Sequence, residues 1–117
     1  MQTVLIILND APYGNERPYN ALRLAIQLAK RPDVHVRVFL VGDGVLSAQR
    51  GQKVPTGYYN IEHMLRTLIR RGGEIAVCGT CCAARGVEAQ DLVDRVQPGS
   101  LDLETDWVLA AHKVLVF

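Results

Sequence analysis

Three cysteines, Cys78, Cys81 and Cys82, fall within five positions of the segment "VCGTCCAARG", and the chain has no others. Free cysteine is a small hydrophobe that favours burial, so thiols scattered through a core would need no special reading. These three are gathered directly after a short apolar run, residues 74–77, that reads as a strand. Thiolate rather than thiol attacks sulfur electrophiles and binds metals. A thiol at the end of a strand and just before a helix can meet unpaired backbone N–H groups that favour the thiolate, and Cys78 is the first candidate. Arg85 adds a cation if the loop folds back, and Gly79 and Gly86 allow tight turns around the thiol. Cys82, followed by two alanines, also reads as a packed small residue at a helix start.

Other chemistries have less behind them. Cys78 and Cys81 make a C-x-x-C, which serves as a redox pair or as half of a zinc site. Structural zinc needs four ligands, and the chain has neither a second C-x-x-C nor paired histidines, since His35, His63 and His112 are far apart. His63, on an expected helix, can act as a partner or catalytic neighbour. The turn "NDAPYGNERP" is neither a G-x-G-x-x-G nor a P-loop, which disfavours nucleotide and flavin. No metal and no cofactor are therefore expected.

The elements that must position the thiols follow from periodicity. Residues 4–8 are continuously apolar, as in a central parallel strand covered on both faces. Leu22, Ala25, Ile26 and Ala29 then fall at helical spacing, with Pro32 ending the pattern. Residues 34–40 alternate, Val34, Val36, Val38 and Leu40 against His35 and Arg37, giving a second strand with one more polar face. A long glycine-rich loop, 42–57, precedes the helical face of Ile61, Met64, Leu65, Leu68 and Ile69, and residues 74–77 form the third strand. A helix is expected somewhere between Gly86 and Val96, a short extra strand near Val96, a last helix through Leu103, Trp107, Ala110 and Ala111, and a final strand over 114–117.

This alternation predicts a single α/β domain over residues 1–117, an open, mostly parallel sheet of four to five strands with helices on both faces. In such sheets ligands collect at the carboxyl ends of the strands. Three loops should converge there, 9–15, 42–57 and 78–86. Asn9, Asp10, Tyr13 and Gly14 of the first loop and Arg85 of the third are the candidate binding residues. Asp10 and Asp43 both end strands, but loop aspartates are commonly caps or turn formers.

Composition limits the partners. Thirteen basic residues against twelve acidic ones leave a net charge of +1, and the basic residues are dispersed, which predicts no nucleic-acid partner. The longest apolar runs are far short of the roughly 20 residues of a membrane span, and the first nine residues lack the charged start and cleavage site of a secretory signal. With no spaced disulfide framework, a reducing cytoplasm is the expectation.

The segments "NDAPYGNERPYNALRLAIQLA", "RGQK" with "GYYNIEHML", "CGTCCAARG" and "HKVLVF" resemble, in that order and nearly end to end, the small DsrE/DsrF-like family, especially its YchN-like branch. The resemblance implies a three-layer, flavodoxin-like α/β/α sandwich, a homo-oligomer such as a trimer or hexamer, and a place in sulfur relay. It implies that Cys78 carries sulfur as a persulfide between donor and acceptor proteins, and matches Cys81 to a second cysteine of that branch; it assigns no role to Cys82. Two functions are expected to compete. One is a sulfur carrier or sulfurtransferase component using Cys78 and Cys81; the other is a non-catalytic oligomeric binding or redox-sensing module with loop cysteines. Apolar Val54 with Tyr58 and Tyr59 gives the loop 42–59 a surface that a monomer has little reason to expose, and the loop is expected at a subunit contact.

Overall fold

The structure, a computed structural model, describes residues 1–117. The first apolar run lies in β1, Gln2–Leu8, and pairs in parallel with β2, Val34–Leu40, so that Ile6 lies opposite Val38. Between them runs α1, Arg17–Ala29, with proline in its first turn, where a missing N–H costs nothing. Helix α2, Ile61–Arg70, begins at Asn60, whose side chain accepts the His63 N–H at 3.0 Å. Then come β3, Glu74–Cys78, and α3, Gly79–Ala84. The short strand β4, Gln97–Gly99, leads into α4, Leu101–Ala110, and β5, Lys113–Val116, closes the chain.

All five strands are parallel, in the order β4-β3-β2-β1-β5. The first three crossovers step in one direction across the sheet and the last steps back over it. With right-handed connections, that reversal puts α1, α2 and α3 on one face and α4 on the other. The layers are those of a three-layer α/β/α sandwich, whereas the strand order differs from flavodoxin's own 2-1-3-4-5.

The two faces are unequal. Eighteen buried residues, among them Ile6, Leu8, Leu22, Val38, Leu65 and Ile75, fill the space beneath α1 to α3. Only Leu5, Phe39, Ala76 and Trp107 form the buried cluster under α4. The alternation in β2 explains the difference: Val36, Val38 and Leu40 enter the larger core, while Arg37 on the other face binds Glu74 at 2.8 Å and lies 5.0 Å over the Trp107 ring. Trp107 meets Phe39 edge-on, with centroids 5.9 Å apart.

Two expectations shift. The helix expected between Gly86 and Val96 lies earlier, in the cysteine segment itself, because Cys78 can cap it and Gly86, at φ +66°, ends it in a left-handed turn. Only the short 3-10 turn Ala89–Asp91 falls in the expected interval. The glycine-rich loop is partly ordered as the 3-10 turn Gly42–Ala48, which seats Val45 and Ala48 in the larger core.

Because α4 is fixed to its face by one buried aromatic, Trp107→Ala should cost about 3–5 kcal/mol of stability. Urea unfolding followed by circular dichroism measures this; a loss below about 1 kcal/mol would show that Trp107 does not anchor the layer.

Candidate functional site

Strand β3 passes into α3 with no residue between them, and Cys78 is both the last strand residue and the helix cap. Its Sγ accepts the Cys81 backbone N–H at 3.4 Å and lies 3.3 Å from Thr80 Oγ1. At six residues α3 is too short for much of a macrodipole, so these local bonds act on the thiol. Burial pushes the Cys78 pKa up. The hydrogen bonds from the Cys81 and Thr80 side chains and from their backbone N–H groups outweigh it, leaving Cys78 below the ordinary thiol range.

The neighbouring thiols are pushed the other way. Burial raises Cys81, as does its hydrogen bond to Cys78, while the Gly42 N–H, 3.2 Å from its sulfur, opposes the rise. Cys82 is buried in the larger core, and burial followed by the charges of Cys78 and Cys81 raises it. One loop therefore holds a sulfur biased toward thiolate beside two biased toward thiol.

Cys78 opens onto a cavity of about 610 Å³ lined by Phe39, Gly79, Thr80, Gly99, Ser100, Leu101 and Glu104. Its floor depends on two glycines. A Cβ at Gly99 would lie 2.6 Å from the Val77 oxygen and 3.0 Å from the Phe39 ring, and one at Gly79 would lie 3.1 Å from the Gly99 oxygen. Sequence reasoning missed the far wall, Gly99 to Glu104. The available trace was Ser100 as a helix cap, whose Oγ accepts the Leu103 N–H at 3.1 Å, directly after β4, the short strand expected near Val96.

The three loops do meet, through their backbones and Arg85. Gly42 reaches Cys81, the Gly44 N–H donates to the Asn9 oxygen at 3.1 Å, and Arg85 Nε donates to Asp43 Oδ1 at 3.0 Å. None of Asn9, Asp10, Tyr13, Gly14 or Arg85 lines the Cys78 cavity. The Asn9 side chain donates to the Phe117 oxygen, bridging the carboxyl ends of β1 and β5, where the strand order reverses. Asp10 pairs with Arg17, so Asp10 and Asp43 serve separate arginines. Tyr13 donates to Gln52 at 2.6 Å and accepts the Ile61 N–H, and Gly14 turns beside it at φ +99°. Arg85 also donates to the Cys81 oxygen, so its charge is directed at Asp43 and Cys81 rather than at Cys78. His63 is exposed on α2, outside the cavity. No group of three or more His, Cys, Asp or Glu side chains is arranged to hold a metal ion.

The thiol ranking has a direct readout in alkylation against pH, because only thiolate reacts. Cys78 should label first, with its half-rise below that of a free thiol, and Cys82 last, with its half-rise above. Thr80→Val, which removes a bond that favours the thiolate, should move the Cys78 profile to higher pH. Equal rates for Cys78 and Cys82 in the folded chain would contradict the ranking.

Comparison with known proteins bears on the same segment. The YchN protein of Escherichia coli K12 is 42% identical over 118 residues, covering all of both chains, and its crystal structure superposes with a TM-score of 0.93. The MK0008 protein of Methanopyrus kandleri is 32% identical, covering 100% of this chain and 95% of its own. The MTH1491 structure from Methanobacterium thermoautotrophicum, 15% identical with a TM-score of 0.74 over 97% of each chain, shares the fold. The DsrE/DsrF-like family model matches residues 2–117, and the chain belongs to the DsrE/DsrF-like family.

Proposed function

We propose that the protein is a small cytoplasmic sulfur-relay component that carries sulfane sulfur as a persulfide on Cys78. The observation that carries this reading is a thiol that caps a helix, is held toward thiolate by local hydrogen bonds, and faces an open cavity. Membership of a family associated with sulfur relay supports it, and no helix is long and apolar enough to cross a membrane.

The chemistry follows from the thiol ranking. The Cys78 thiolate attacks the outer sulfur of a donor persulfide, R–S–SH. A new S–S bond forms at Cys78, the donor's S–S bond breaks, and R–S⁻ leaves with the electron pair. An acceptor thiolate attacks the terminal sulfur and returns Cys78 to thiolate. Cys81, the higher-pKa partner, provides a second exit: its sulfur attacks that of Cys78, hydrosulfide leaves, and a Cys78–Cys81 disulfide forms that a dithiol reductant reopens. Cys82 stays packed and takes no part.

Self-association is part of the proposal, as a trimer or hexamer with the loop 42–59 at a contact. Tyr58 is half exposed and stacks on Tyr59, whose ring stacks in turn on Tyr19, each pair 4.4 Å apart. Leu101, Leu109 and Val116 are each more than 60% exposed, further apolar surface for a neighbour to cover.

Intact mass after incubation with a persulfide donor tests the carrier. Wild type should gain one reducible sulfur and Cys78→Ser none; equal gain by both would remove Cys78 from the role and favour the binding or redox-sensing module. Light scattering at micromolar concentration should give a mass of at least three chains, and a monomer would end the assembly proposal.

A further inference from the structure

The Cys78 cavity has an asymmetry of charge that the carrier reading does not use. Phe39 and Leu101 supply its apolar walls, Gly79 and Gly99 its backbone, Thr80 and Ser100 its hydroxyls, and Glu104 is its one charged side chain. No Lys, Arg or His lines it, and Arg85 is engaged by Asp43 and the Cys81 oxygen. Glu104 takes part in none of the chain's ion pairs. A glutamate in the first turn of a helix ordinarily serves the helix dipole, and α4 carries Asp102 there as well. Asp102 lies outside the cavity; Glu104 shares its wall with the reactive sulfur.

We propose that Glu104 sets the donor class of this site, admitting neutral or cationic low-mass persulfides and rejecting anionic sulfane donors such as thiosulfate. This rests on Cys78 being the sulfur acceptor. With a neutral persulfide, R–S–SH, the one negative charge in the reaction passes from Cys78 to the leaving R–S⁻. With thiosulfate, the thiolate attacks the outer sulfur, the S–S bond breaks and sulfite leaves with the electron pair. Three negative charges then gather in a cavity that a carboxylate lines, with no cation in its lining to answer them. Coulomb repulsion across a partly solvated cavity changes such a rate by about five-fold per unit charge, and salt screens it.

The test reads the charge at Cys78 without requiring sulfur transfer, so its failure is separable from failure of the carrier reading. Cys78 is alkylated with neutral iodoacetamide and with anionic iodoacetate at low salt, followed residue by residue by mass spectrometry. The rate ratio in the folded chain is divided by that in the urea-unfolded chain. Wild type should favour the neutral reagent by about five-fold beyond the unfolded ratio, falling toward parity in 1 M salt. Glu104→Gln should be at parity at low salt. A wild-type ratio equal to that of the unfolded chain, an unchanged ratio in Glu104→Gln, or a Cys78 closed to both reagents would overturn the proposal. The salt series on wild type keeps the test decisive if the variant folds poorly.

Discussion

The hydrogen bond from the Cys81 N–H to the Cys78 sulfur governs the local architecture of this molecule. It caps a helix that starts at the residue after the strand ends, so no loop separates sheet from helix. A cap is ordinarily an oxygen of Ser, Thr, Asp or Asn. A sulfur in that position does the same work less strongly, and in return the N–H it accepts stabilises its own anion. Structure and reactivity thus share one bond. The abruptness of the turn also dictates its surroundings, because β4 must pass close to the helix start, and Gly79 and Gly99 provide the clearance for that approach.

The unequal faces of the sheet set where chemistry can occur. Beneath α1 to α3 the core is dense, and Cys82, pointing into it, becomes one more small hydrophobe. On the opposite face a single helix of ten residues covers a far smaller cluster, and the space it leaves at the carboxyl end of β3 is the Cys78 cavity. The reversal of strand order lies elsewhere, at β1, where Asn9 bridges to the last residue of the chain. The open site therefore sits at the β3/β4 edge and not at the position favoured by general rules for parallel sheets.

Much of this was legible from residue patterns. The continuous apolar run of β1, the alternation of β2 and the helical face of α2 each reflect a local period that burial imposes, so their placement agrees with the structure to within two residues. The cysteine helix was displaced because six residues carry too little periodicity to declare a helix, and a thiol cap is not among the usual start signals. Tyr13 shows a different limit. A tyrosine in the first loop reads as a ligand contact, but its hydroxyl is used up by Gln52 and the start of α2.

The sequence by itself determined the parallel α/β class, the clustering of the thiols at a strand's end and the special position of Cys78, because these rest on spacing along the chain. Only the tertiary structure decided where Cys81 falls among the three thiols, the engagement of Arg85 by Asp43, and the wall formed by Gly99, Ser100, Leu101 and Glu104. The physical reason is distance in sequence. That wall lies some twenty residues beyond Cys78 and reaches it through the pairing of Cys78 with Gly99, and thiol acidity depends on which N–H groups and charges surround each sulfur once the strands are in register.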